Sequence, residues 1–261
     1  MLLPHEHGAW AMLAMPLLIG LGATHGVNGE AALFALTAFC FFLLRYPLMW
    51  AIKSRAPDVR HDALRWSAIY AAVTGISGVW LLLVSQIWEL ILIGAFGLGV
   101  LAIYLLLAAR RAEMSTAGEW IGIAGLALGA PGMYLASSGR LDSTAFALYA
   151  VNLLYFGGTV SYIKFKVREQ PRAAARVSGV RARLWTGRAT LAYHALLLLV
   201  GASLAAIGFV PALTAAAFCL PMCKVVAGIA ARPARTSLPR LGFIELGVTL
   251  AFALVILAAY G

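Results

Sequence analysis

YIKFKVREQPRAAARVSGVRARLWTGRATLAYHALLLLVGASL, residues 162–204, decides the class of this chain. Seven lysines and arginines crowd into 165–188, and no charged side chain follows before Lys224. The apolar run 189–208 is about 20 residues long. As an α-helix rising ~1.5 Å per residue it matches the ~30 Å hydrocarbon core of a bilayer. The same alternation of basic segment and apolar run repeats along all 261 residues, of which 62% are hydrophobic and 11% charged. A soluble domain carries about 25% charged residues, so this composition excludes one. The chain reads as an all-α, polytopic membrane protein forming a single transmembrane domain, 1–261.

Nine spans are expected, roughly at 8–24, 31–51, 67–85, 88–109, 118–137, 143–164, 189–208, 211–229 and 242–260. Alternate connections sort the cations sharply. The segments 52–66, 110–117, 165–188 and 230–241 hold sixteen Lys and Arg, while the opposite connections hold only Arg140. Lys and Arg are enriched in cytoplasmic loops, which predicts a cytoplasmic N-terminus, an external C-terminus and a place in the cytoplasmic membrane. Trp10, Trp50, Trp66, Trp88 and Trp120 fall near span ends, where amphipathic rings settle among headgroups. Pro16, Pro131 and Pro221 fall within spans and are expected to kink them or free a backbone carbonyl.

The net charge of +10 needs no nucleic acid as partner. It lies mostly on the expected cytoplasmic face, where anionic lipids attract basic segments. Cys40, Cys219 and Cys223 all sit in apolar runs, which argues against a disulfide framework. No Lys or Arg precedes the first apolar run, so a cleaved secretory signal is not expected.

Charge inside a bilayer is costly and asks for a reason. The short set here is Arg45, Glu119, Asn152, Lys164, His194, Lys224 and Glu245, with His5, Glu6 and His7 where the first span begins. On the expected topology these ionisable groups gather in the cytoplasmic half. Snorkelling to the interface explains Lys224 and Lys164 without function, and a glutamate at a helix start sits well against the dipole. Neither explains why Glu6, Glu119 and Glu245 recur on spans one, five and nine, or why Arg45 lies deep before Pro47. The pattern predicts a polar cavity open to the cytoplasm. Glu6, His7, Glu119, His194 and Glu245 would serve there as acid–base or proton-carrying groups. Arg45, Asn152, Tyr162, Lys164, Lys166 and Lys224 would bind substrate. His5 and His7 lack a third fixed ligand, so no metal site is assigned, and the sequence names no cofactor.

Spans one and five each begin with a glutamate near a tryptophan, in EHGAW and GEWIG, and each carries a later proline. Spans two and six each end in a basic segment, RYPLMWAIK and YIKFKVRE. Four helices separate the members of each pair, the pattern of a parallel repeat.

PHEHGAWAML, GEWIGIAGLALGAPGMYLASSG, NLLYFGGTVSYIKFKVRE, the AYH of Ala192–His194 and LGFIELG together resemble the YwiC-like family of bacterial membrane proteins, over nearly the whole chain. Nine spans with an inside N-terminus also resemble the UbiA-type intramembrane prenyltransferases. In those, aspartate-rich motifs ending spans two and six hold magnesium and a prenyl diphosphate. The corresponding stretches here, RYPLMWAIKSRAPDVRHD and NLLYFGGTVSYIKFKVRE, have no such cluster. Lys and Arg hold phosphate but do not replace the metal bridge. The resemblance therefore implies a shared architecture with lost or altered diphosphate chemistry. The expected partners are membrane lipids and an anionic lipid or isoprenoid-like ligand, on which group transfer would occur. A transporter of small anions or metabolites and a non-catalytic accessory subunit are the alternatives.

Overall fold

The computed structural model describes residues 7–24, 26–173, 177–231 and 237–260. Among these residues every regular element is helical. In chain order they are α1 (His7–Gly22), α2 (Gly29–Lys53), α3 (Pro57–Leu83), α4 (Leu90–Ala109), α5 (Thr116–Ala127), α6 (Gly129–Ser138) and α7 (Ser143–Lys164). A π-helical turn, Phe165–Glu169, continues α7 into α8 (Gln170–Ala173). Then follow α9 (Val180–Thr186), α10 (Arg188–Ala206), α11 (Ala212–Ala217), α12 (Cys219–Ala230) and α13 (Leu238–Tyr260). Among the described residues eight helices are long and apolar enough to cross a bilayer, counting α5 with α6 and α11 with α12 as one each. The apolar helix Gly8–Gly22 is shorter.

Two of these crossings are broken, and proline is the reason. A proline has no N–H for the carbonyl four residues back. Pro131 and Pro221 thus leave the Ala127 and Ala217 carbonyls without that bond. The chain tightens just there, with Leu128 N–H donating to Gly125 and Phe218 N–H donating to Ala215. Pro16 and Pro47, by contrast, lie inside continuous helices.

Several boundaries differ from the sequence reading. Residues 57–66, expected as loop, form the first turns of α3, because Pro57 starts the helix, Asp58 faces its positive end and Ala63 is fully buried. Much of the expected loop 165–188 is likewise helical, as the π-turn, α8 and α9.

The chain divides into two compact units, 1–150 and 151–261, with the division inside α7. In the first unit α2 pairs closely with α3, and α1 lies on α6. The Thr37 hydroxyl donates to Ser77 Oγ (2.7 Å) across α2 and α3. Asn28 caps α2 by accepting from Ala31 N–H (2.8 Å), while its amide donates to the Ala136 and Ser137 carbonyls at the end of α6. Lys53, ending α2, pairs with Glu113 before α5. In the second unit α10 packs on α11 and α12, and α11 and α12 on α13. Its core includes Phe165, Val225 and Ile229, with the stacked rings of Tyr155 and Phe252 centred 3.9 Å apart.

Asp142 starts α7. Its carboxylate accepts from the backbone N–H of Thr144 (2.9 Å) and Ala145 (3.4 Å), from the Tyr134 hydroxyl (3.0 Å) and from Arg140 (3.0 Å). Burial works against the charge, but these donors outweigh it and hold the carboxyl below its usual value. A lowered folded-state pKa stabilises the fold above the unfolded pKa and ceases to do so as pH falls through the folded one. Asp142→Ala is expected to cost about 1 kcal/mol at neutral pH, the worth of a helix cap. The variant and wild-type melting temperatures should converge as the pH drops below the ordinary aspartate value of about 3.9. A gap that persists undiminished in acid would show that the charge is not what stabilises this end.

Candidate functional site

The second unit buries a set of polar side chains drawn from four helices. Lys224 on α12 donates from Nζ to Glu245 Oε2 on α13 at 2.6 Å, with side chains only 7% and 8% exposed. The two residues are 21 positions apart in the chain, and only the packing of α12 on α13 joins them. The Tyr162 ring of α7 covers Lys224, with Nζ 4.7 Å from its centroid. Gly228, one turn beyond Lys224, makes room for this ring, since a Cβ there would fall 1.9 Å from the Tyr162 hydroxyl.

Around the pair runs a hydrogen-bonded chain. Tyr155 OH donates to Thr249 Oγ1 (2.9 Å), and Thr249 Oγ1 donates to the Glu245 backbone carbonyl (2.7 Å). His194 on α10 is 1% exposed. Its Nδ1 lies 2.8 Å from the Thr190 carbonyl. A carbonyl only accepts, so Nδ1 carries the hydrogen, and in the neutral ring Nε2 presents a lone pair. Gly158 lets the imidazole lie against α7, for a Cβ there would stand 3.0 Å from Nε2. The Lys224 charge reaches this ring electrostatically.

Two buried acceptors in this set, Glu245 Oε1 and His194 Nε2, have no hydrogen-bond partner among the described residues. Buried polar atoms are nearly always paired, so an open carboxylate oxygen and an open imidazole nitrogen in the same unit mark these residues as a candidate site. Chemically the arrangement offers an ammonium, a carboxylate and an imidazole: it can hold an ion, exchange a proton, or both.

The structure brings Tyr162, Lys224 and Glu245 together in contact, while His194 is buried in the same unit against Gly158 of α7, within electrostatic range of Lys224. Lys224 does not snorkel as the sequence reading allowed, because its ammonium is turned inward to Glu245. Lys166, in the π-turn, donates to the Gly228 carbonyl (3.3 Å), which Gln170 also contacts (3.4 Å). Lys164 is half-buried at the end of α7, and Asn152 is 1% exposed on the same helix. In the first unit, the Arg45 guanidinium rests over the rings of Tyr104 (5.0 Å) and Phe42 (5.6 Å), a cation–π setting. Glu119 is half-buried in the first turn of α5, where Ser115 caps Gly118 N–H. Glu6 and the side chain of His7 lie outside the described residues. The sequence reading missed Tyr155, Gly158, Thr190 and Thr249. A signal was available for two of them, since Thr190 and Thr249 stand four residues from His194 and Glu245, one helical turn away.

The profile of the family described as "YwiC-like protein" matches residues 3–134. The chain belongs to the YwiC-like family. It is 27% identical over 175 residues, 66% of this chain and 70% of the relative, to "Uncharacterized protein YwiC" of Bacillus subtilis. It is 25% identical over 263 residues, 99% of this chain and 98% of the relative, to an "Uncharacterized protein" of Haemophilus influenzae. No solved structure matches significantly. The family profile thus covers the helices around Arg45 and Glu119, whereas the Lys224–Glu245 pair falls beyond it, in a region the Haemophilus relative spans.

Proposed function

We propose that this YwiC-like chain is a nine-span protein of the cytoplasmic membrane, with its N-terminus inside, its C-terminus outside and α1 as the ninth crossing. Its second unit serves a membrane-dissolved ligand with an anionic head, an anionic lipid or isoprenoid-like molecule, on which UbiA-like group transfer proceeds without an aspartate-rich metal motif. The single observation that carries this reading is the buried Lys224–Glu245 pair, beside which Glu245 Oε1 and His194 Nε2 remain as open acceptors. Intramembrane ionisable groups that face a bundle interior mark substrate, ion or proton pathways. Glu245 and His194 act as the acid–base groups, and Lys224 with Tyr162 as the anion-facing ones. Lys164, Lys166 and Asn152 line the approach along α7. In the first unit Arg45 contacts anionic groups, and Glu119, Glu6 and His7 handle protons.

One observation favours the transporter reading. Crossing helices broken at Leu128 and Phe218 release backbone carbonyls within the membrane, as the discontinuous helices of transporters do.

Exhaustive lipid extraction from the purified protein separates these readings. A defined anionic lipid, retained at fixed stoichiometry by the wild type and lost in Lys224→Met/Glu245→Gln, is the expected result. Glu245-dependent anion flux in proteoliposomes without a retained lipid would establish the transporter instead. Neither outcome would leave only an accessory role. The orientation is checked in the same membranes: a thiol probe at Ser178→Cys should react only from inside.

A further inference from the structure

The charges of the second-unit site constrain how any anion enters it. Lys224 and Glu245 cancel, and His194, with its hydrogen on Nδ1, adds nothing. The titratable groups that Glu245 meets are Lys224 from α12, and Tyr155 and Tyr162 from α7, with His194 from α10 within reach of Lys224. α11, which also packs on α13, brings no titratable side chain. Apart from Lys164 and Lys166 on its approach, the buried heart of the site is therefore neutral as it stands.

An anion added to a neutral set in a membrane interior leaves one uncompensated negative charge, which such an interior tolerates poorly. The ammonium that would meet the anion is already engaged at 2.6 Å. Yet the partner carboxylate keeps a second oxygen, Oε1, buried and unpaired, and His194 Nε2 is a second such acceptor in the same unit. Both atoms belong to side chains more than nine-tenths buried. The geometry points to a site that takes up one proton with each monoanionic head it binds.

A proton given up by the buffer acid, which is left as its conjugate base, adds to Glu245 Oε1 and forms an O–H bond. Glu245 becomes neutral and its attraction for Lys224 is lost. Lys224 Nζ then leaves Oε2 and turns to the anion, and the site's net charge is zero before and after. Tyr162 keeps the ammonium in place by its ring face, and the new carboxyl O–H gives the head a further donor. This inference rests on the anionic-ligand reading above and adds what must accompany the anion.

Calorimetric titration of the full-length protein in a non-ionic detergent tests it. The probe is decylsulfonate, whose head stays anionic throughout, in buffers of different ionisation enthalpy at neutral pH. The expected wild-type result is an apparent binding enthalpy that changes linearly with buffer ionisation enthalpy, with a slope of one proton taken up. In Glu245→Gln the slope should fall to zero while affinity holds or improves, because an amide accepts no proton and frees Lys224. Binding by wild type with zero slope overturns the inference and leaves the anionic-ligand reading standing. A slope of one that persists in Glu245→Gln overturns Glu245 as the acceptor. No binding by either protein overturns both readings. The wild-type slope decides even if the variant does not fold. Methanesulfonate in place of decylsulfonate identifies the source: binding of both with the same slope marks a small-anion site, and binding of decylsulfonate alone marks a lipid head.

Discussion

Lys224→Met is expected to destabilise the second unit by about 3–5 kcal/mol, the cost of leaving a buried charge without its partner. Solvent screens the pair little, because both side chains are almost wholly covered. The methionine fits the space of the lysine stem, so the loss comes from Glu245 and not from packing. The double variant Lys224→Met/Glu245→Gln should recover most of that stability, since a buried pair replaced by neutral residues is often close to neutral in energy. Unfolding midpoints in mild detergent read both effects. The double variant should still lack ligand retention, which separates stability from function. If Lys224→Met melts with the wild type, the pair is not buried as described. If the double variant is as unstable as the single one, the energetic account of the pair is wrong.

The second large effect is in the first unit, at Gly20. A Cβ there would lie 2.3 Å from the Ala130 backbone oxygen and 3.0 Å from Met133 Cβ. A backbone oxygen inside a helix cannot swing aside, so α1 must move off α6. Gly20→Ala is expected to cost about 1–3 kcal/mol, the usual range for overpacking, and Gly20→Leu more. Close helix contact through small residues is how membrane helices gain packing energy when lipid is as apolar as the side chains. Gly94→Ala in α4 is the control. It has nothing within 4 Å of the added carbon and should be neutral, or up to ~1 kcal/mol stabilising through helix propensity. Equal melting of Gly20→Ala and wild type would mean that α1 does not approach α6 this closely.

Most of the helix pattern is legible in the sequence because hydropathy and charge are local properties. The run 88–109 becomes α4 and 143–164 becomes α7 with shifts of at most two residues. The start of α3 is misread because its first turns are polar: DVRHD looks like loop, while Pro57 and the buried Ala63 decide for helix. The basic stretch 165–173 stays helical for a similar reason, since charge density alone does not end a helix. Among the site residues, His194 and Glu245 are legible as charges or titratable groups that an apolar run has no cause to contain. The partner of Lys224 is not. Near the end of a span it looks like a snorkelling lysine, and nothing in its neighbours along the chain betrays Glu245.

The sequence by itself determined that this is a helical membrane protein of the YwiC-like family, and marked the few residues whose presence in apolar runs needs explaining. Those facts follow from free energies of transfer, which depend on each segment's own composition. Tertiary structure alone decided that Lys224 meets Glu245, that Tyr162 covers the pair over Gly228, and that His194 turns Nε2 away from Thr190. Such pairings depend on how each helix is rotated and shifted against its neighbours. That rotation is set by the packing of many small contacts at once, which no single stretch of chain encodes.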